Sequence, residues 1–116
     1  MTEVASLEKP ESEHSAIFCP AVHAIGILQE KWVLYIVRSL LENPKGFNEL
    51  RRAIGNCNPS TLSERLEMLE RHGILKKTIE SYMPPRTSYE LTQAGFAMQQ
   101  VIAEIDCWAR RYLGQS

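Results

Sequence analysis

Apolar residues recur at helical spacing along most of this chain, and alternate in strand fashion only between Gly73 and Thr92. The clearest stripe is Leu62, Leu66 and Leu69, which places one face of a helix inward and leaves Ser60, Ser63, Glu64, Glu67 and Arg71 looking outward. Residue type punctuates both ends of that helix. Asn58 is a capping residue, Pro59 suits the first helical position and Gly73 suits the exit. Just before it, Phe47, Leu50 and Ile54 share one face of a short supporting helix, with Arg51 and Arg52 beside them. Gly55-Asn56-Cys57-Asn58 supplies the residues a tight turn tolerates. Helix, turn and capped polar helix together predict a helix-turn-helix. An exposed first turn of Ser and Thr fits a major groove, where hydroxyls reach base edges or phosphates and free helix amides favour a phosphate.

Upstream, residues 21–28 and 31–41 are apolar-rich helical segments separated by Gln29-Glu30, and Asn43-Pro44 stops the second. Trp32, Ile36 and Leu40 repeat at four-residue spacing and are expected to anchor the core. Downstream, residues 74–80 and 86–91 alternate on either side of Ser81-Tyr82-Met83-Pro84-Pro85, which predicts a hairpin with prolines at its tip. Arg86 follows at once, a cation where a wing meets a minor groove or the DNA backbone. The last helix, from Thr92 to about Leu113, sets Met98, Val101, Ile102, Ile105, Trp108, Ala109 and Tyr112 on one broad stripe. That is more apolar face than so short a domain readily covers. A symmetric dimer through Val101, Ile102, Ile105, Trp108 and Tyr112 would bury it and set two recognition helices about 34 Å apart; closure of the monomer's own core is the alternative. The fold class expected is mainly α with a small β-hairpin, a dimeric winged helix-turn-helix over residues 16–116, with residues 1–15 a flexible tail.

An ordered series of segments carries a family resemblance: Cys19-Pro20, Glu30-Lys31-Trp32, Phe47-Asn48-Glu49-Leu50-Arg51-Arg52, Thr61-Leu62-Ser63-Glu64-Arg65-Leu66, then Pro84-Pro85-Arg86, Tyr89 and Leu91-Thr92. In this order the chain, from residue 19 to about 113, resembles the HxlR-type winged-helix transcription regulators, related in architecture to the MarR group. The resemblance implies a homodimeric DNA-binding regulator. Two positions depart from its pattern: Gln29-Glu30 stand where a glycine pair is usual, and Ser60 where a basic residue is common.

Charge alters this picture only in detail. The net charge is −1, against the basic balance expected of a nucleic-acid binder. Its distribution is uneven, with three Lys or Arg against six Glu over residues 1–42 and eight against six over residues 43–92. A surplus of two positive charges, opposed by Glu64 and Glu67 on the outward face, implies modest, strongly salt-dependent backbone affinity. No apolar run reaches the length of a membrane span and the acidic start does not look like a signal peptide, so a cytoplasmic location and no membrane partner are expected.

Candidate chemistry is sparse. Cys19, Cys57 and Cys107 are too widely spaced for a zinc site, and His14, His23 and His72 stand apart from one another in sequence, so neither a metal nor a cofactor is expected. Without a phosphate loop, nucleophile elbow or paired nucleophile and base, no enzyme activity is expected either. Cys19 is the exception among the thiols. It precedes Pro20 at a helix start, where the positive helix end favours thiolate, and the family resemblance implies a cysteine there that senses oxidants or electrophiles. Cys57 or Cys107 of the partner subunit would be its disulfide partner; a small-ligand effector is the other route to regulation.

The DNA-binding residues expected are Ser60, Thr61, Ser63, Glu64, Arg65, Arg51, Lys77 and Arg86, with Arg65 and Arg86 foremost and Arg52 assigned to internal pairing. The function expected is operator binding to double-stranded DNA as a homodimer, with repression the simplest outcome. The rival reading is a winged-helix protein-interaction module, which Glu64 and Glu67 on the outward face favour.

Overall fold

The computed structural model describes residues 19–113, and the tail reading for residues 1–15, with His14, lies outside them. Helix α1 (Pro20–Leu28) starts with proline in its first turn, behind Cys19. Helix α2 (Val33–Glu42) buries Val33, Ile36, Val37 and Leu40. Between them the chain bends without glycine: Trp32 itself takes a left-handed conformation, φ 79°, uncommon for a bulky residue. That bend answers the missing glycine pair, and it moves the start of α2 to Val33. It also corrects the core expected from spacing alone. Ile36 and Leu40 are fully inside, while Trp32 is only half-buried, its ring against Tyr35 and beneath the Lys31 ammonium.

Helix α3 (Phe47–Ala53) and helix α4 (Pro59–Arg71) are joined by a turn in which Gly55 and Asn56 both have positive φ, 110° and 62°. Asn58 caps α4 as its residue type requires, its side-chain oxygen accepting from the amides of Ser60 (2.9 Å) and Thr61 (3.3 Å). Leu62, Leu66 and Leu69 are buried against Leu50, Ile54 and the α2 stripe in one core. Each contributes roughly 1.5–3 kcal/mol by leaving water.

Strands β1 (Leu75–Tyr82) and β2 (Pro85–Leu91) form the antiparallel wing, paired from Leu75 with Leu91 out to Tyr82 with Pro85. A register shift between Ile79 and Ser81 lets the strands run further than alternation suggests, so the loop shrinks to Met83-Pro84, whose peptide is cis, and Pro85 opens a strand. Lys45 adds a one-residue third strand, exchanging both backbone bonds with Tyr89. Its buried ammonium donates to the Ser39 carbonyl at 2.8 Å, closing the last turn of α2, and pairs with Glu42.

Helix α5 (Gln93–Tyr112) begins at Thr92, whose hydroxyl accepts from the Gly95 amide and donates to the Gly73 carbonyl at 2.6 Å. One side chain thus holds the exit of α4, the root of the wing and the start of α5 together. Gly95 is needed there because a Cβ would collide with the Ile74 carbonyl and Leu91.

Candidate nucleic-acid interface

The first turns of α4 present Ser60, Ser63 and Glu64 to solvent, with Thr61 half-buried beside them. The arrangement follows from the leucine stripe: once three leucines face inward, the small polar residues between them must face out. Glu67 and Arg71 continue that exposed face toward the C-terminus.

The basic residues expected alongside them divide by contact. Arg51 directs its Nε to the Cys57 carbonyl at 2.7 Å, locking the turn between α3 and α4. Arg52, expected to pair internally, is exposed instead. Adjacent positions on a short helix point about 100° apart, and it is Arg51 that reaches the turn. Arg65 is only 21% exposed and donates from Nε to the Lys31 carbonyl at 3.0 Å, with Glu30 and Glu64 at 3.8 and 3.7 Å. It therefore ties the recognition helix to the bend before α2. Lys76 is taken by Glu90 across the wing at 3.2 Å. Lys77 and Arg86 are exposed and carry no ion pair among the described residues. Arg86 sits one residue from the strand end that closes the tip, opposite Ser81.

Tyr89, at the root of the wing, is buried, and its hydroxyl is held above the ordinary tyrosine value by that burial first and then by the charges of Glu70 and Glu67.

The thiols and imidazoles are sorted in the same way. Cys19 is exposed at the start of α1 and Cys107 is exposed on α5. Cys57 is sealed in the core, its thiol donating to the Asn58 carbonyl, which withdraws it from the disulfide partners considered for Cys19. His23 and His72, isolated in sequence, are brought together with ring centroids 5.9 Å apart, edge to face. That contact joins α1 to the end of α4. No group of three metal-ligating side chains forms among the described residues, and no described helix is long and apolar enough to cross a membrane.

The second surface lies on α5 and α1. The stripe expected on α5 splits lengthwise: Met98, Ile102 and Ala109 are half-buried on the domain, whereas Val101, Ile105, Trp108 and Tyr112 are exposed. A groove of about 660 Å³ runs along that uncovered side past Val101, Ile105 and Trp108, with Glu104 at its edge. Helix α1 buries none of its residues, and Val22 and Ile25 are exposed.

The sequence alone assigns no contact to the side chain of Lys45, none between Glu30 and Arg65, and no role to the uncharged tip residues Tyr82 and Met83. Only the last left a trace: a run of Tyr, Met and Pro where a hairpin loop is ordinarily polar.

Known proteins share the fold and about a third of the aligned residues. The family model for the HxlR-like helix-turn-helix matches residues 27–116. The HTH-type transcriptional regulator YvaP of Bacillus subtilis is 36% identical over 99 residues, spanning 84% of this chain and 92% of its own length. The HTH-type transcriptional regulator YodB of the same organism is 32% identical over 95 residues, covering 81% of this chain and 85% of YodB. The structure of reduced YodB superposes with a TM-score of 0.76, covering 85% of this chain and all of that one at 30% identity. YodB has also been solved bound to quinone and after diamide treatment.

Proposed function

This chain belongs to the HxlR-like helix-turn-helix family and is a DNA-binding transcriptional regulator, and we propose that it holds its operator as a homodimer and releases it when Cys19 is oxidised or alkylated. The relatives do not favour a protein-interaction module. The observation that carries the reading is the capped start of α4, where Ser60, Ser63 and Glu64 face solvent on a helix whose leucine face is buried.

In the complex, Ser60, Thr61, Ser63 and Glu64 read the major groove, while Lys77 and Arg86 hold the backbone. Arg51 and Arg65 act one step back, as positioning residues that fix the turn and the angle of α4. The dimer forms through Val101, Ile105, Trp108 and Tyr112, with the half-buried Ile102 at their border with the core, burying the open side of α5. Occupying the operator blocks access to it, so repression follows without further machinery, in the cytoplasm where the DNA is.

Regulation starts at Cys19, because it is the exposed thiol at the head of α1. An oxidant takes two electrons and two protons as Cys19 joins Cys107 of the partner subunit in a disulfide, or an electrophile such as a quinone adds to the thiolate. The forms in which YodB has been solved support this class of effector. Movement of α1 reaches α4 by two routes, the His23–His72 contact at its end and the Lys31 carbonyl held by Arg65.

A gel shift on the DNA upstream of the chain's own gene tests the reading. Retarded bands are expected that weaken steeply as salt rises to about 0.3 M and disappear on diamide treatment. Cys19→Ser should keep binding and lose the diamide response. Release of that variant by diamide, unchanged from wild type, would remove Cys19 from the mechanism.

A further inference from the structure

The wing extends well beyond what the fold needs. Only Leu75, Tyr89 and Leu91 of its strands are buried, all at its root, yet pairing continues outward to Tyr82 and Pro85. At roughly 3.3 Å per residue, the tip stands about 20 Å out from Leu75. There stand the most exposed large apolar side chains among the described residues: Met83 is 88% and Tyr82 79% accessible. Pro84 completes the tip, and no residue from Ser81 to Pro85 is charged. The Ser81 hydroxyl accepts from the Met83 amide at 3.3 Å, which fixes the loop on its strand. Arg86 flanks this apolar tip without a carboxylate partner, and Lys77 lies further down the same hairpin.

An apolar point next to a free cation fits a nucleic-acid minor groove, with base edges at its floor, stacked steps that a wedge can open, and phosphates at its rim. Methionine and proline are among the side chains that wedge between base steps there, unstacking them and bending the duplex. A polar tip can also enter the groove and read its width and acceptors, but it does not unstack base steps as an apolar wedge does. We propose that Tyr82-Met83-Pro84 is an apolar wedge that enters the minor groove outside each operator half-site and selects for deformable base steps, with Arg86 holding the adjacent phosphates. The inference rests on DNA binding through α4 and adds to it a second, indirect readout. Specificity then arises at positions that no hydrogen bond from the recognition helix touches, because a flexible pyrimidine–purine step costs less to open than a stiff one.

The test is selection of binding sites from a random-sequence duplex pool by the full reduced chain, repeated with Met83→Ala and with Tyr82→Ala. Both side chains are exposed, so thermal melting should be unchanged and any effect belongs to the complex. The wild type is expected to select an inner half-site and, about half a helical turn or roughly 5 bp outside it, TA or CA/TG steps. Met83→Ala should keep the inner preference, flatten the flanking one and bind the selected site about tenfold more weakly, with a smaller bend by circular-permutation mobility. Flanking preferences and bend angle identical in wild type and both variants would overturn the wedge while leaving DNA reading by α4 intact. A wild type that selects no sequence at all would overturn DNA reading and the wedge with it.

Discussion

Helices α4 and α5 carry apolar stripes of the same kind and meet different ends. On α4 the stripe is fully covered by its own domain, so Leu62, Leu66 and Leu69 are inside and the polar face is free for a ligand. On α5 only one edge of the stripe is covered, and Val101, Ile105, Trp108 (56% accessible) and Tyr112 face solvent. Periodicity states which side of a helix is apolar; it does not state whose atoms will cover it. The difference is the ground for the proposal that α4 is held rigid as a reader while α5 joins two copies.

Substitutions should separate the two. Leu69→Ala removes a fully buried side chain from under the reader and should cost about 2–5 kcal/mol, seen as a large drop in denaturation midpoint. The double variant Ile105→Glu, Trp108→Glu changes exposed positions, so secondary structure should persist by circular dichroism. Dimer affinity should fall at least a hundredfold, about 2.7 kcal/mol, and operator affinity with it. If that variant instead unfolds, the open face of α5 is core.

Gly95→Ala forces a methyl onto the Ile74 carbonyl where α5 meets the wing, and should destabilise by about 1–3 kcal/mol without changing the dimer interface. Asn58→Ala removes the cap of α4 and should cost about 1 kcal/mol, together with a loss in operator affinity that the Gly95 variant does not share. The smallest effect concerns pH. Tyr89 titrates above its ordinary value because burial, then Glu70 and Glu67, favour the neutral hydroxyl. Its contribution is therefore full below the unfolded tyrosine value of about 10 and is lost as pH rises through the folded value. Tyr89→Phe should melt like wild type at neutral pH and show a shallower alkaline decline; equal slopes would deny the burial.

What could be read from sequence was local. Asn58-Pro59 and the leucine stripe specify α4 within a dozen residues, and Gly55-Asn56 specify the turn before it, so these were legible. Arg51 and Arg52 look alike along the chain, and only the path of the turn decides which one reaches the Cys57 carbonyl. Arg65 reads as a solvent-facing cation until the fold brings Lys31, 34 positions away, beneath it. Trp32 suits a core by its size, yet the missing glycines make it the bend. The division of the α5 stripe was illegible for a different reason, since the atoms proposed to complete it belong to a second copy.

Sedimentation equilibrium of the reduced chain at about 10 µM decides whether the open face of α5 joins two chains and so sets two recognition helices on one operator. A single species of twice the 13.2 kDa chain mass is expected. A species of 13.2 kDa, unchanged by concentration, would contradict it.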